Sequence, residues 1–276
     1  MTNLRPVPSP SDQLPADRLF AAGLAAHQDG RLEDAFAEYE AALQLQPRHF
    51  DALHHVGILG YQIGNHELAL EFIGEALKVN PGVSAVYSNL GNVFKAIGEH
   101  GSALQSYEQA IDLDPTNIDA LYNRGNVLQA LKRYDEALAS YDRAIALAPG
   151  DVEAWNNCAV VLEQLKRHEE ALGSCNHALT LDPSHLEALD NRGNILMALG
   201  RVDEALASYE QAYTLEPAYV KARINYAKAL RKLGLLDQAL AAYDAVIEQA
   251  PDDAEAHHGR ANALRHLRRA DEEPVD

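Results

Sequence analysis

Seven prolines, Pro47, Pro81, Pro115, Pro149, Pro183, Pro217 and Pro251, each stand 34 residues after the one before. A fixed period of this length is the signature of stacked supersecondary units, none of which can bury its apolar face alone. Proline inside a helix costs about 3 kcal/mol, so the regular structure has to lie between these marks. The other five of the 12 prolines, Pro6, Pro8, Pro10, Pro15 and Pro274, fall outside the repeating part. With the periodic proline as position 32, the units are 16–49, 50–83, 84–117, 118–151, 152–185, 186–219 and 220–253. An eighth start at Ala254 supplies a single helix.

The same positions keep the same chemistry from unit to unit. Position 8 is small throughout: Gly23, Gly57, Gly91, Gly125, Ala159, Gly193, Ala227 and Ala261. A second helix can approach closely there. Position 20 is alanine from Ala35 to Ala239, and position 24 is tyrosine in five units: Tyr39, Tyr107, Tyr141, Tyr209 and Tyr243. Position 15 carries Gly30, Gly64, Gly98, Gly200 and Gly234, a fit to the left-handed residue that ends many helices. Each unit is therefore expected to be helix A (positions 2–14), a tight turn, and helix B (positions 18–30).

The unit from Ser84, with Tyr87, Leu90, Gly91, Phe94, Ala103, Tyr107, Ala110 and Pro115 in register, resembles the tetratricopeptide repeat. The resemblance spans residues 16–267 and implies an all-α fold, a right-handed α-solenoid superhelix whose A helices line the concave side. Units one and two depart most from the pattern, with Gly60 where a large apolar residue is usual and Ile73 in place of the aromatic. The expected organisation is a Pro-rich flexible leader (1–15), seven repeats (16–253), a C-terminal capping helix (254–270) and an acidic tail (271–276). In the capping helix Ala261 and Leu264 are expected to face inward under a polar cover. The alternative is the first half of an eighth repeat.

At 100° per residue, positions 4, 7, 8 and 11 of helix A share one face, and positions 2, 6, 9 and 13 lie opposite. Position 6 reads Ala21, His55, Asn89, Asn123, Asn157, Asn191, Asn225 and Gly259, and position 9 adds Asn92, Asn126, Asn194 and Asn262. Asparagine is worse than alanine by several tenths of a kcal/mol in mid-helix. These positions are expected to take no part in the repeat core, so five successive asparagines at one of them call for another reason. Each side chain holds a donor and an acceptor, and a row of them can pair with an extended polypeptide backbone without reading its side chains. The candidate peptide-binding set is Asn89, Asn92, Asn123, Asn126, Asn157, Asn191, Asn194 and Asn225. The alternative is a ladder of contacts between neighbouring helices.

Asn89-Leu90-Gly91-Asn92, with Asn123, Asn157 and Asn191 in step, also resembles the repeat region of O-linked N-acetylglucosamine transferases, including SPINDLY-type proteins. That resemblance implies that a concave asparagine ladder grips substrate polypeptide. No glycosyltransferase domain lies within these 276 residues, so it implies at most a substrate-recruiting region.

Charge separates the two ends. The chain carries −18 overall, yet residues 220–269 hold nine Lys/Arg against six Asp/Glu. Lys221, Lys228, Arg231, Lys232 and Arg265 sit partly on the groove side and form a candidate contact for an acidic ligand. The acid excess elsewhere argues against a general nucleic-acid binder, and no stacking aromatics accompany the basic residues. Clamping of a C-terminal carboxylate, known in chaperone-adaptor repeats, is not expected: position 5 has no lysine, and position 2 is mostly acidic (Asp17, Asp51, Asp119, Glu153, Glu187). Phe20, Leu24, Ile58 and Tyr61 make an apolar patch at the N-terminal repeats, where self-association is possible.

No phosphate-cradling loop, no histidine pair with metal-ligand spacing and no activated thiol is evident, so neither enzyme activity nor a cofactor or metal is expected. Cys158 and Cys175 take core positions, with Trp155 expected to fill the volume they leave. No apolar run reaches the ~18 residues of a membrane span, and two cysteines make no disulfide framework, which points to a cytoplasmic setting. The expected function is a non-catalytic scaffold that binds other proteins or peptides, without nucleic acid or membrane.

Overall fold

The computed structural model describes residues 10–272, and side chains from 15 to 268. Within them the chain is all-helical and divides into two compact units that meet between Leu131 and Lys132. The first unit holds α1 (Pro10–Gln28), α2 (Leu32–Leu45), α3 (Phe50–Gln62), α4 (His66–Val79), α5 (Ser84–Ala96), α6 (His100–Leu113) and α7 (Ile118–Ala130). The second holds α8 (Tyr134–Leu147), α9 (Val152–Gln164), α10 (His168–Leu181), α11 (Leu186–Ala198), α12 (Val202–Leu215), α13 (Val220–Lys232), α14 (Leu236–Gln249) and α15 (Ala254–Glu272). The architecture is an α-solenoid of helix-turn-helix repeats, with A helices from α3 to α13 at positions 1–13 and B helices at positions 17–30. Consecutive A helices touch one another within each unit, α3 against α5 and α9 against α11, for example.

The turn between helices follows from one backbone conformation. Gly98 has φ +81°, its N–H bonds to the Lys95 carbonyl, and the Glu99 N–H bonds to that of Phe94. This double bond pattern is the Schellman end of a helix. Lys132 and Lys166 occupy the same position without glycine and still adopt φ +59° and +62°, a conformation that costs an L-residue about 1 kcal/mol. Helix A begins on position 34, where the side chains of His49, Asn117, Asp151 and His185 accept from the N–H three residues on. His49 and His185 also reach back with Nε2 to Asp17 and Glu153, at 3.1 and 3.0 Å. The acids at position 2 thereby acquire a structural role.

The repeat core is built on matched sizes at positions 8 and 24. A Cβ on Gly23 would stand 2.7 Å from the Tyr39 ring, and one on Gly91 would stand 2.5 Å from the Tyr107 ring. Tyr39, Tyr107, Tyr209 and Tyr243 are fully buried or nearly so, each contributing on the order of 2–3 kcal/mol of apolar burial. In the fifth unit, where position 24 is the small Cys175, position 8 is Ala159. Trp155 does not fill that space. Its ring lies against His177, 4.2 Å between centroids, and its indole N–H donates to the Pro149 carbonyl.

The ends differ from expectation in detail. α1 starts at Pro10, inside the stretch read as a flexible leader, and Pro15 within it forgoes one backbone bond. Residues 1–9 lie outside the described residues. α15 continues through Asp271 and Glu272 of the acidic tail, and 273–276 again lie outside. In α15 the buried residues are Ala256 and Ala263; Leu264 is half-buried and Ala261 exposed. The reason is geometric. Position 8 faces the helix that follows in each full repeat, and among the described residues α15 packs only on the preceding repeat.

Candidate functional site

The asparagines of positions 6 and 9 are half-buried, except the exposed Asn194, and the structure ties them into two sets of bonds. Position 6 donates to position 5 of the preceding A helix. Asn89 Nδ2 meets His54 Nε2 at 2.9 Å, Asn191 Nδ2 meets Asn156 Oδ1 at 2.9 Å, and Asn225 Nδ2 meets Asp190 Oδ1 at 2.7 Å. Position 9 accepts from the core tyrosine of its own repeat: Tyr107 Oη donates to Asn92 Oδ1 at 2.7 Å and Tyr209 Oη to Asn194 Oδ1 at 2.8 Å. Asn123 accepts from Lys95 Nζ at 2.6 Å, and Asn126 and Asn157 are engaged as well. The expectation that this face stands apart from the core is corrected here. Position 9 satisfies a buried hydroxyl, and position 6 couples neighbouring helices.

Column reading of the asparagines missed their partners at position 5. Asp190 is completely buried and collects three donors: Asn225 Nδ2, Lys221 Nζ at 2.8 Å and Asn194 Nδ2 at 3.3 Å. His54 is buried, and its pKa is lowered to about 4, chiefly by desolvation and then by the neighbouring His55, with Asp51 opposing. The neutral ring therefore accepts from Asn89 through Nε2. The signal was present in the sequence, since His54, Asn156 and Asp190 are polar residues one place before the groove column.

The five candidate basic residues divide by what they touch. Lys221 is committed to Asp190, and Lys228 reaches both Glu255 (2.5 Å) and Asn225 Oδ1 (3.2 Å). Arg231 and Lys232 line a recess between α13 and α15 together with Lys228, and Lys232 Nζ lies 3.4 Å from the Met197 carbonyl. Arg265 is exposed and bonds weakly to Asn262 Oδ1 at 3.5 Å. Proximity thus joins three of the five, and Lys221 belongs to the asparagine network instead.

The apolar residues of the N-terminal repeats are half-buried, with Phe20 stacked on Tyr39 at 5.7 Å, tilted against His49 and edge-to-face with His55. Burial raises the thiol pKa of Cys158 to about 11 and that of Cys175 to about 12, so both stay protonated near neutrality. Among the described residues no cluster of three or more His, Cys, Asp or Glu could hold a metal ion, and no helix is long and apolar enough to cross a membrane.

Tetratricopeptide-repeat family models match residues 20–82 and 122–185, 91–132, and 196–263. No curated protein matches the chain significantly. Among solved structures, YrrB, described as a TPR protein with an unusual peptide-binding site, is 25% identical with a TM-score of 0.59; the match covers 68% of this chain and 97% of YrrB. PilF of Pseudomonas aeruginosa is 22% identical with a TM-score of 0.65, covering 77% of this chain and 97% of its own. The C-terminal part of a TPR repeat-containing protein from Cytophaga hutchinsonii gives a TM-score of 0.73 at 16% identity, over 87% of this chain and 98% of its own. With the 34-residue period, the helical hairpins and the family matches in agreement, the chain belongs to the tetratricopeptide-repeat proteins.

Proposed function

We propose that the A-helix faces bind extended polypeptide segments of partner proteins, gripping their backbone through the asparagines of position 6. Tetratricopeptide-repeat proteins generally act as protein-interaction scaffolds. The observation that carries the finer reading is the half-engaged state of three of these amides, Asn89, Asn123 and Asn191; Asn225 is engaged at both ends. One end of each is fixed by a bond within the protein, while Oδ1 of Asn89 and Asn191 and Nδ2 of Asn123 have no partner among the described residues. A side chain held in place before its ligand arrives loses little further rotamer freedom on binding. Each free end pairs with a peptide N–H or C=O without selecting a side chain. The peptide-binding description of YrrB supports the same reading.

A lysate pull-down with the intact chain beside the triple variant Asn123→Ala, Asn157→Ala, Asn191→Ala tests it. Partners lost by the variant while its helical circular dichroism persists are the expected result; the same partners on both proteins would refute it. The position-6 asparagine run also suits the substrate-recruiting region of a glycosyltransferase. In that case the captured partners would share a glycosyltransferase as a common companion.

A further inference from the structure

The tyrosine of the seventh repeat breaks the pattern of the others in three linked ways. Its position 8 is Ala227 rather than glycine, and the ring of Tyr243 packs under Gly259 of α15, where a Cβ would fall well inside van der Waals contact. Its position 9 is Lys228, so the asparagine acceptor that serves Tyr107 and Tyr209 is missing. Lys228 turns instead to Glu255 and Asn225. As a result Tyr243 Oη, on a side chain with no exposure, has no acceptor for its proton among the described residues: its polar neighbour is the Arg231 guanidinium, itself a donor, whose Nε is also unpaired.

Buried polar atoms in native proteins are nearly always paired, and leaving one unpaired costs about 1–3 kcal/mol. Two such donors border one recess. Gly259 stands where α5 to α13 carry asparagine, and the opening has a volume of about 700 Å³, lined among others by Lys228, Arg231, Lys232, His258 and His266. Arg231 Nε can only donate, so the missing partner is an acceptor. Of the three cations, Lys228 is neutralised by Glu255, which leaves an excess of two positive charges at Arg231 and Lys232. That excess matches a phosphate monoester, whose charge near neutrality is about −1.5 to −2 and which offers three strong acceptor oxygens.

We propose that the recess between α13 and α15 binds a phosphate monoester carried on a polypeptide side chain, with its oxygens accepting from Tyr243 Oη and Arg231 Nε. The polypeptide part rests on the groove reading above; the anion site does not. Charge-assisted bonds of this kind are roughly twice as strong as neutral ones. Lys232 then supplies a third contact from the rim.

Phenyl phosphate is the first probe, titrated against the full chain and against Tyr243→Phe and Arg231→Gln, with hydrogen exchange read along α13–α15. Phosphate-dependent protection that falls about tenfold in apparent affinity in each variant is expected. Absence of protection in the unaltered chain, or protection that survives both substitutions, would overturn the site. Tyr243→Phe keeps the ring and removes only a hydroxyl whose proton has no acceptor, so loss of fold does not account for its effect. The second probe is a set of degenerate peptide libraries with phosphoserine, glutamate or serine at a fixed central place. Tighter binding of the phosphoserine library, reduced by Tyr243→Phe while serine binding is unchanged, is expected. A preference for glutamate would overturn the choice of ester. Phenyl phosphate binding with all three libraries inert would overturn the polypeptide reading and leave the anion site standing.

Discussion

Removing one oxygen atom from each of three equivalent tyrosines should give opposite signs of stability change. Tyr107 and Tyr209 are buried, and each donates to an asparagine at 2.7 and 2.8 Å, respectively. Replacement by phenylalanine keeps the ring packing and deletes one hydrogen bond, a net cost of about 0.5–1.5 kcal/mol. The orphaned Asn194 carbonyl is exposed and regains water, which sets Tyr209→Phe at the lower end. Tyr243 makes no such bond. Its hydroxyl is buried beside the Arg231 guanidinium with no acceptor for its proton, so Tyr243→Phe returns that penalty and leaves stability unchanged or raised by about 1 kcal/mol. The assay is urea unfolding by circular dichroism, paired with hydrogen exchange on the affected helices because repeat arrays unfold locally. A loss at Tyr243→Phe equal to that at Tyr209→Phe would refute the assignment of partners. A stability gain joined to a loss of anion binding would follow the usual opposition between stability and a functional group kept unsatisfied.

Lys166→Gly should stabilise the second unit by about 0.5–1 kcal/mol, because glycine adopts the φ of +62° freely; a fall in melting temperature would contradict this. His54 binds its proton less readily folded than unfolded, with a pKa of about 4 against the ordinary 6.5. Its contribution is therefore present above about pH 6.5 and lost as pH falls toward 4, at most about 3.5 kcal/mol at about 1.4 kcal/mol per unit. His54→Gln, which keeps an acceptor for Asn89, should flatten the decline in stability between pH 7 and 4; an unchanged profile would contradict the role of His54. Asp190→Ala should cost about 1–3 kcal/mol by stranding Asn225 Nδ2, while the exposed Lys221 returns to water. A change below about 0.5 kcal/mol in urea unfolding would show that the buried carboxylate is not the hub described.

Repeat length, the A and B helices and the left-handed turns were legible because period, small-residue columns and glycine conformation are local properties. Lys132 and Lys166 show the limit of the glycine rule: helix packing on both sides holds the turn where the residue disfavours it. The groove column was legible as a face, but its bonds were not. A bond from Asn191 to Asn156 joins residues 35 apart, and the tyrosine hydroxyls cross from helix B to helix A. Neither appears when each column is read alone. The inward face of α15 was misjudged for a related reason, since position 8 is buried by the helix that follows it and not by its own repeat pattern. The recess at Tyr243 arises from three substitutions in different columns, Ala227, Lys228 and Gly259, and only their proximity makes them one feature.

The central claim is that asparagine side-chain amides, and not merely the groove, contact the bound chain. Side-chain amide resonances in a ¹⁵N correlation spectrum, assigned by single Asn→Asp variants and followed during titration with a captured peptide, test it directly. The account predicts that the Nδ2 signals of Asn89 and Asn123 shift together and saturate with the peptide, and that the Asn191 signal responds in the same way within its own unit. Saturable binding that leaves all three unmoved, with changes confined to other faces of the helices, would contradict it.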